Sequence, residues 1–255
     1  RTLKEILIMN DNELYNNLHK RYTSCYFKQD IIPDKDLINT ILKESLSITP
    51  VFSNLWHHRT DVYGPEYHDD KRAVCIQTVE HMKYRNMFDK KGDAKPGIEI
   101  LYNDLEIFEN AVKTGEVKKN GFGIFDEAVP FNTQVMAPYL LKFTYEPYTF
   151  GKTKAEELKP NSTAKYGIKL KAHQGAMAQA YAIAIIARKY GVDSSFCGCF
   201  IQNDDNKNKI WYNDENLIKF MGLGYRDKNC FDGPGSKHYT SKERPELKDN
   251  VVRWN

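Results

Sequence analysis

The stretch GAMAQAYAIAIIARKYGVDSSFCGCF, residues 175–200, decides how the rest of the chain is read. With the residues just before it, it predicts a helix over 171–190. Ala and Ile recur on nearly every turn, so this helix is apolar almost all round, the pattern of an element buried at the centre of a protein. Lys189 falls in the last turn, where a cation complements the helix dipole, and Gly191 follows as the C-cap. SSFCGCFI (194–201) then reads as a strand. A long apolar helix that turns on one glycine into an apolar strand sets one helix against one sheet.

The neighbouring segments supply the rest of that sheet. APYLLKFTYEP (137–147) and NLIKFMGLGY (216–225) read as strands, and RTDVYGPE (59–66) as a strand ended by Gly64-Pro65. PDKDLINTILKESLS (33–47) is an amphipathic helix with Leu37, Ile38, Ile41, Leu42 and Leu46 on one face and a start signal at Pro33-Asp34. NELYNNLHK (12–20) also has helical spacing. Residues 66–130 are charged, with scattered glycines and short helical patterns such as NDLEIFENAVKTG (103–115), and 148–168 read as polar loop. The tail, 226–255, is irregular and basic. The expectation is one α+β domain over 1–255, with an extended insertion at about 66–130 and a C-terminal arm at about 226–255 that packs on a partner.

Composition narrows the function classes. At 255 residues the chain buries a core without needing a disulfide or metal. A net charge of +3 gives no concentrated basic face, which argues against nucleic acid as partner. No apolar run is long enough for a membrane span, and RTLKEILIMNDNE at the start has too short an apolar core for a secretory signal. Five cysteines, at 25, 75, 197, 199 and 230, form no CxxC and suit a reducing, cytoplasmic compartment.

Motifs for the commonest chemistries are missing: there is no GxSxG, no GxxxxGK[ST] and no strand-linked GxGxxG. Cys197 and Cys199 on a strand share a face about 6.6–6.8 Å apart, at the limit of a disulfide. A metal site needs two more ligands, and the adjacent His57 and His58 point to opposite faces of a strand. The plain alternative for the thiols is two small apolar side chains on a buried strand. GPGSK (233–237) has the composition of an anion nest and, more plainly, of a turn. Arg21 and Thr23 offer a guanidinium and a hydroxyl to a phosphate, and Lys242 and Arg244 project to one side of an extended tail. Each pair alone reads as solvated surface; together they form a phosphate clamp if the fold joins them.

In this order the segments resemble the nitroreductase-like family of FMN-dependent oxidoreductases. KRYTSCYF (20–27) is similar to its N-terminal basic-hydroxyl motif, PVFSNLWHHRTDVYGPE (50–66) to its PSxxNxQPW loop and following strand, GAMAQAYAIAIIARKYGVDSSFCGCF to its central helix and flavin-contacting strand, and GLGY…SKERP (222–245) to its last core strand and basic pair before proline. These cover about a third of the chain.

The resemblance implies a sandwich around a central mixed, mainly antiparallel sheet flanked by helices, assembled as an intertwined homodimer with FMN at the subunit interface. It implies that Arg21, Thr23, Lys242 and Arg244 hold the FMN phosphate, with Tyr22 along the same edge. Pro50, Val51, Phe52 and Asn54 reach the cofactor from the other subunit, and Phe196, Cys197, Gly198 and Cys199 pass beside the isoalloxazine with Gly198 allowing close backbone approach. Asn132 is the candidate for the pyrimidine edge. NAD(P)H is the implied electron donor and a nitroaromatic, quinone or related metabolite the implied small-molecule acceptor, with no side-chain acid or base required and residues 66–130 as a candidate lid. Cys25 stands where some relatives carry a lysine near the flavin, a change that lowers flavin potential. Val51, Phe52 and Trp56 also depart from the usual residues. They motivate the alternative of a flavin-binding or interaction protein on a catalytically decayed version of this fold.

Overall fold

Tyr139–Tyr145 is buried at all seven positions, so this strand has neighbours above, below and on both sides. The computed structural model describes residues 24, 26–51, 56–75, 90–91, 93, 99–100, 104–114, 127–128, 133–145, 163–197, 210 and 217–227. In chain order its elements are α1 (Lys35–Ile48), β1 (His58–Tyr63), α2 (His68–Cys75), β2 (Glu99–Ile100), α3 (Leu105–Thr114), β3 (Glu127–Ala128), β4 (Tyr139–Tyr145), α4 (Thr163–Lys189), β5 (Asp193–Cys197) and β6 (Leu217–Gly224). Short 3-10 turns precede α2 and β4, at Pro65–Tyr67 and Thr133–Met136.

The main sheet has the order β1-β4-β6-β5. Every pairing in it is antiparallel, with Val62 opposite Leu141, Leu141 opposite Met221, and Met221 opposite Phe196. The parallel component lies apart, in the two-stranded pair β2–β3. Side chains alternate across β4. Tyr139, Leu141 and Phe143 join Ile38 and Ile41 of α1 and Ala176, Ala180, Ile183, Ala184 and Ala187 of α4 in one core cluster. Leu140, on the other side, joins Val74, Cys75, Leu105, Phe108, Phe220 and Cys197. The chain is thus an α+β sandwich: α1 and α4 on one face of the sheet, α2 and α3 on the other.

The expected elements form for the expected reasons, with instructive shifts. Asp34 caps α1, its carboxylate accepting from Asp36 N–H at 2.7 Å. Ile38, Ile41 and Ser45 form the buried face of α1, while Leu46 turns outward. Lys189 Nζ donates to Glu44 at 2.9 Å and the Tyr190 hydroxyl donates to the same carboxylate, tying α1 to the end of α4. Helix α4 begins at Thr163, eight residues ahead of its apolar run, because the polar segment before that run continues the same backbone hydrogen bonding. Nor is it buried all round: Leu170, Met177 and Tyr181 lie exposed along its outer face.

Within 66–130 little in the sequence points to α2. HDDKRAVC is mostly charged, yet Val74 and Cys75 are buried and Asp69 and Asp70 fall in the first turn, where the helix dipole favours them. Arg72 holds Glu109 with both carboxylate oxygens at 2.8 Å, clipping α2 to α3. The two described helices of this region, α2 and α3, therefore supply a layer of the core. Lys71 is almost wholly buried, and its Nζ donates to the Ala137 and Pro138 carbonyls at 2.9 and 2.8 Å. A neutral amine has two N–H groups, which match these two acceptors. Burial pushes the Lys71 pKa down to about 8, against a smaller upward pull from Glu66.

Two measurements test this account. Helix α4 ends in a Schellman motif: Gly191 has φ of 70°, its N–H donates to Arg188 at 3.1 Å, and Val192 N–H donates to Ala187 at 2.9 Å. Gly191→Ala is expected to lower unfolding free energy by about 1–2 kcal/mol. Gly167→Ala, inside α4 with nothing within 4 Å of a new Cβ, is expected to raise it by up to about 1 kcal/mol. Urea unfolding at one fixed protein concentration reads both. For Lys71, the unfolded chain binds the extra proton between its folded pKa of about 8 and the ordinary 10.5. Stability contributed by this group therefore rises with pH through that window, with a slope of up to about 1.4 kcal/mol per pH unit. Lys71→Met removes that slope; an unchanged pH profile in the variant contradicts the buried amine.

Candidate functional site

Antiparallel pairing settles which ends of the strands meet. β1 is antiparallel to β4, β4 to β6, and β6 to β5, so β5 ends where β1 begins. Helix α4 turns directly into β5 and so runs antiparallel to it, with its N-terminal half toward the same end. Ala172 of that half packs with Tyr145 at the end of β4, and Gln179 bonds His58 at the start of β1. Residues 50–51 and 196–197, from two different candidate segments, thus belong to one end of the sheet. They lie at its opposite edges, three strand spacings or about 14 Å apart.

On the β5 edge three of the four candidate segments converge. Ser24 N–H donates to the Ser194 carbonyl at 3.0 Å, which lays the end of the N-terminal basic segment against β5 two residues before Phe196. Phe27 bridges Arg226, Lys28 N–H donates to Tyr225 at 2.8 Å, and Asp227 N–H donates to Tyr26 at 3.2 Å. The chain leaving β6 is therefore paired with the same N-terminal segment. Ser24 is 1% exposed, and its hydroxyl has no hydrogen-bond partner among the described residues. Asp193, at the start of β5, is held by Arg188 at 2.9 Å and accepts from Arg226 N–H at 3.1 Å, which fixes this edge further.

Of the residues singled out from sequence, four are described. Pro50 is exposed and Val51 half-buried, with its Cγ1 3.7 Å from where a Cβ on Gly175 would sit. Phe196 is half-buried on the α4 face, with Lys219 Nζ 6.0 Å from its ring centroid. Cys197 is fully buried on the opposite face, in the cluster that holds Cys75, Tyr26 and Phe108. Arg21, Tyr22, Thr23, Cys25, Phe52, Asn54, Asn132, Gly198, Cys199, Lys242 and Arg244 lie outside the described residues. Both described cysteines are free thiols. Burial, reinforced by Glu109, pushes the Cys75 thiol far above its ordinary range, so it is inert as a nucleophile.

On the β1 edge is a polar group that motif reading passed over. His58 Nε2 meets Gln179 Oε1 at 2.8 Å, and Thr60 Oγ1 donates to that same oxygen at 3.0 Å. The Trp56 and His58 rings lie 5.4 Å apart at a tilt. A Cβ on Gly175 would stand 3.1 Å from two atoms of the His58 ring, so the glycine makes room for the imidazole on the helix. The available signal was the four-residue spacing of Gly175 and Gln179 with polar residues alternating along β1; the histidine pair drew attention only as metal ligands.

No family model matches the sequence, and no curated protein matches it. Solved structures do match by shape. A Staphylococcus epidermidis protein described as an NAD(P)H:FMN oxidoreductase superposes with a TM-score of 0.55 at 11% identity, over 97% of this chain and 97% of that one. A nitroreductase with bound FMN from Desulfitobacterium hafniense gives 0.48 at 13% identity, over 96% and 97%. Nitroreductase A from Vibrio parahaemolyticus gives 0.48 at 15%, over 97% of this chain and 75% of that one. Identities this low speak to fold alone, and the first superposition carries that conclusion. The order of sequence motifs, the antiparallel sheet with its central helix and the end-to-end superposition agree: this chain has the nitroreductase-like fold.

Proposed function

We propose that the protein is an FMN-dependent oxidoreductase that passes hydride equivalents from NAD(P)H to a small planar acceptor such as a nitroaromatic, a quinone or a related metabolite. The observation that carries this reading is the Ser24–Ser194 hydrogen bond, which sets Ser24, the residue after Thr23, against β5 two residues before Phe196. The buried Ser24 hydroxyl, which has no hydrogen-bond partner among the described residues, fits a polar ligand at that junction. Arg21 and Thr23, with Lys242 and Arg244 of the tail, would hold the FMN phosphate by charge-assisted hydrogen bonds, Tyr22 would line the same edge, and Cys25 would lie near the flavin ring. Phe196 to Cys199 would lie along the ring, with Asn132 at its pyrimidine edge. Bound FMN would supply the hydride chemistry; the chain's task is to orient it, offer backbone donors and exclude water.

The active unit in this reading is a homodimer. Val51 lies beside Gly175 at the β1 edge, opposite β5, and Pro50, Val51, Phe52 and Asn54 would complete the site of a second copy. The exposed Leu170, Met177 and Tyr181 on α4 give that copy an apolar face to cover. The reading takes 1–255 as one domain, with the tail as the arm that crosses between copies.

Purified protein is expected to show flavin absorption bands, to release FMN on denaturation, and to lose those bands on adding NADH or NADPH. Arg244→Ala is expected to weaken FMN affinity about 10- to 100-fold, the worth of one charge-assisted phosphate contact. Lys35→Ala, an exposed residue at the start of α1, should leave it unchanged. Cys197→Ala with Cys199→Ala should keep FMN bound. Colourless protein that cannot be reconstituted with FMN refutes the reading; bound FMN that no nicotinamide bleaches favours the decayed, binding-only form.

A further inference from the structure

His58 fastens strand β1 to helix α4. The histidine is 6% exposed and Gln179 of α4 is 5% exposed. His58 Nε2 meets Gln179 Oε1 at 2.8 Å, and the Thr60 hydroxyl donates to the same oxygen at 3.0 Å. A carboxamide oxygen only accepts, so Nε2 carries the ring proton and Nδ1 is bare. The bare nitrogen faces Gly175, where a Cβ would stand 3.1 Å from both Nδ1 and Cε1. Val51 Cγ1 enters the same notch, 3.7 Å from that position. The ring also packs on Trp56, with centroids 5.4 Å apart. The neutral imidazole thus meets α4 at two successive turns and holds Trp56 beside it.

A second ring proton finds no partner there. It would sit on Nδ1, and Gly175 has no side chain to accept it, while the carbonyls of this stretch lie inside the hydrogen bonding of α4. The titratable residues on the elements around the ring are His57 before it in the chain, Tyr145 opposite it on β4, and Lys171 and His173 on the turn of α4 before Gly175. Arg59 and Asp61 pair with each other on the opposite side of β1. The first group contains no carboxylate, so an imidazolium here has no counter-ion among the described residues, and burying one is costly. Burial is the chief cause that holds the His58 pKa below its ordinary value, over an upward pull from the Gln179 bond and with a smaller downward push from His57. Stability from this group is therefore complete above the ordinary histidine pKa and is lost as pH falls through the lowered folded one.

We propose that His58 is an acid-sensitive latch between β1 and α4: with one ring proton it sits on Gly175 and holds the start of β1, Val51 and Trp56 against the helix, and with a second proton it leaves the notch and releases them. Opening breaks the Gln179 bond and the Trp56 contact, leaves Gln179 to Thr60, and places the imidazolium in water. The pairing of β6 with β5 does not involve this ring and stays formed. The latch goes beyond the oxidoreductase reading and stands on these contacts alone.

The test follows the protein as purified from about pH 7.5 to about pH 5. NMR of labelled histidine and tryptophan rings reads the His58 pKa and the surroundings of Trp56, assigned through Trp56→Phe. Hydrogen exchange, corrected for its intrinsic pH dependence, reads the opening of β1, with the β5–β6 amides as reference. His58 is expected to titrate below the ordinary histidine value and Trp56 to move with the same midpoint. Exchange in β1 is expected to rise by up to about ten-fold per pH unit as the ring titrates, while β5–β6 stays level. Gln179→Glu gives the imidazolium a carboxylate, so it is expected to raise the His58 pKa above its ordinary value and to cancel the acid-driven exchange. Gly175→Ala fills the notch and is expected to raise β1 exchange at neutral pH as well. Circular dichroism checks that each variant folds; should either not fold, the wild-type midpoints of His58 and Trp56 decide. His57→Gln, which removes the neighbouring imidazole, is expected to keep the acid response, and its loss there assigns the switch to His57 and overturns the latch at His58. A Trp56 signal that ignores the His58 titration, β1 exchange that stays level with pH, or an acid response left intact by Gln179→Glu also overturns it.

Discussion

The structure depends on a row of small side chains. Ala172, Ala176, Ala180 and Ala184 follow one another at four-residue spacing along α4, and all four are buried. Side chains this small bring the helix backbone close to the sheet, where Ile183 and the odd-numbered residues of β4 fill the space between. The helix then has little freedom to slide, because Gly191 and Val192 seal its end and deliver β5 into register with β6. Once β5 is fixed, its end, the start of β1 and the first half of α4 fall at the same end of the sheet. The position of the candidate site is thus a consequence of how closely one helix sits.

The second face of the sheet is held by different means. Its helices are short and charged, and apolar burial alone, from Val74, Cys75, Leu105, Phe108 and Ala111, comes from only two turns of each. Lys71 and Arg72 add direction to that burial. One reaches through to two carbonyls ahead of β4; the other grips Glu109. A buried amine is expensive to desolvate, and that cost is what lowers the Lys71 pKa to about 8. Part of this face therefore trades stability for a fixed position of α2 against the strand that all other strands surround.

This contrast explains what could be read from sequence. α4, β4, β5 and β6 were legible because their apolar residues follow a helical or extended period without interruption, and Gly191 punctuates them. α1 was legible from Pro33-Asp34 and the spacing of Leu37, Ile38, Ile41, Leu42 and Leu46, though Leu46 turned out exposed and Ser45 buried. α2 was not, since Lys71 looks like a surface residue until its two carbonyl partners are known, and those come from residues more than sixty positions away. The group of His58, Thr60 and Gln179 escaped for the same reason: neither strand nor helix shows its polar residues to be partners. The basic pairs and the Gly198 approach lie outside the described residues, and the Ser24, Phe27 and Asp227 contacts join only the ends of the segments that carry two of them.

The same geometry bears on what Cys197 does. Phe196 and Cys197 are adjacent and so face opposite sides of the sheet, the ring toward α4 and the sulfur into the cluster with Cys75 and Phe108. A thiol enclosed by apolar side chains in that way has neither the exposure nor the electropositive surroundings that make a cysteine reactive. If a flat cofactor lies along this strand, the strand meets it with Phe196 and with backbone, and the sulfur belongs to the core behind. The fold thus separates two neighbours in the sequence: Cys197, a small buried side chain in the cluster with Cys75 of α2, and Phe196, half-buried on the other face. Packing accounts for the first, and function need only account for the second.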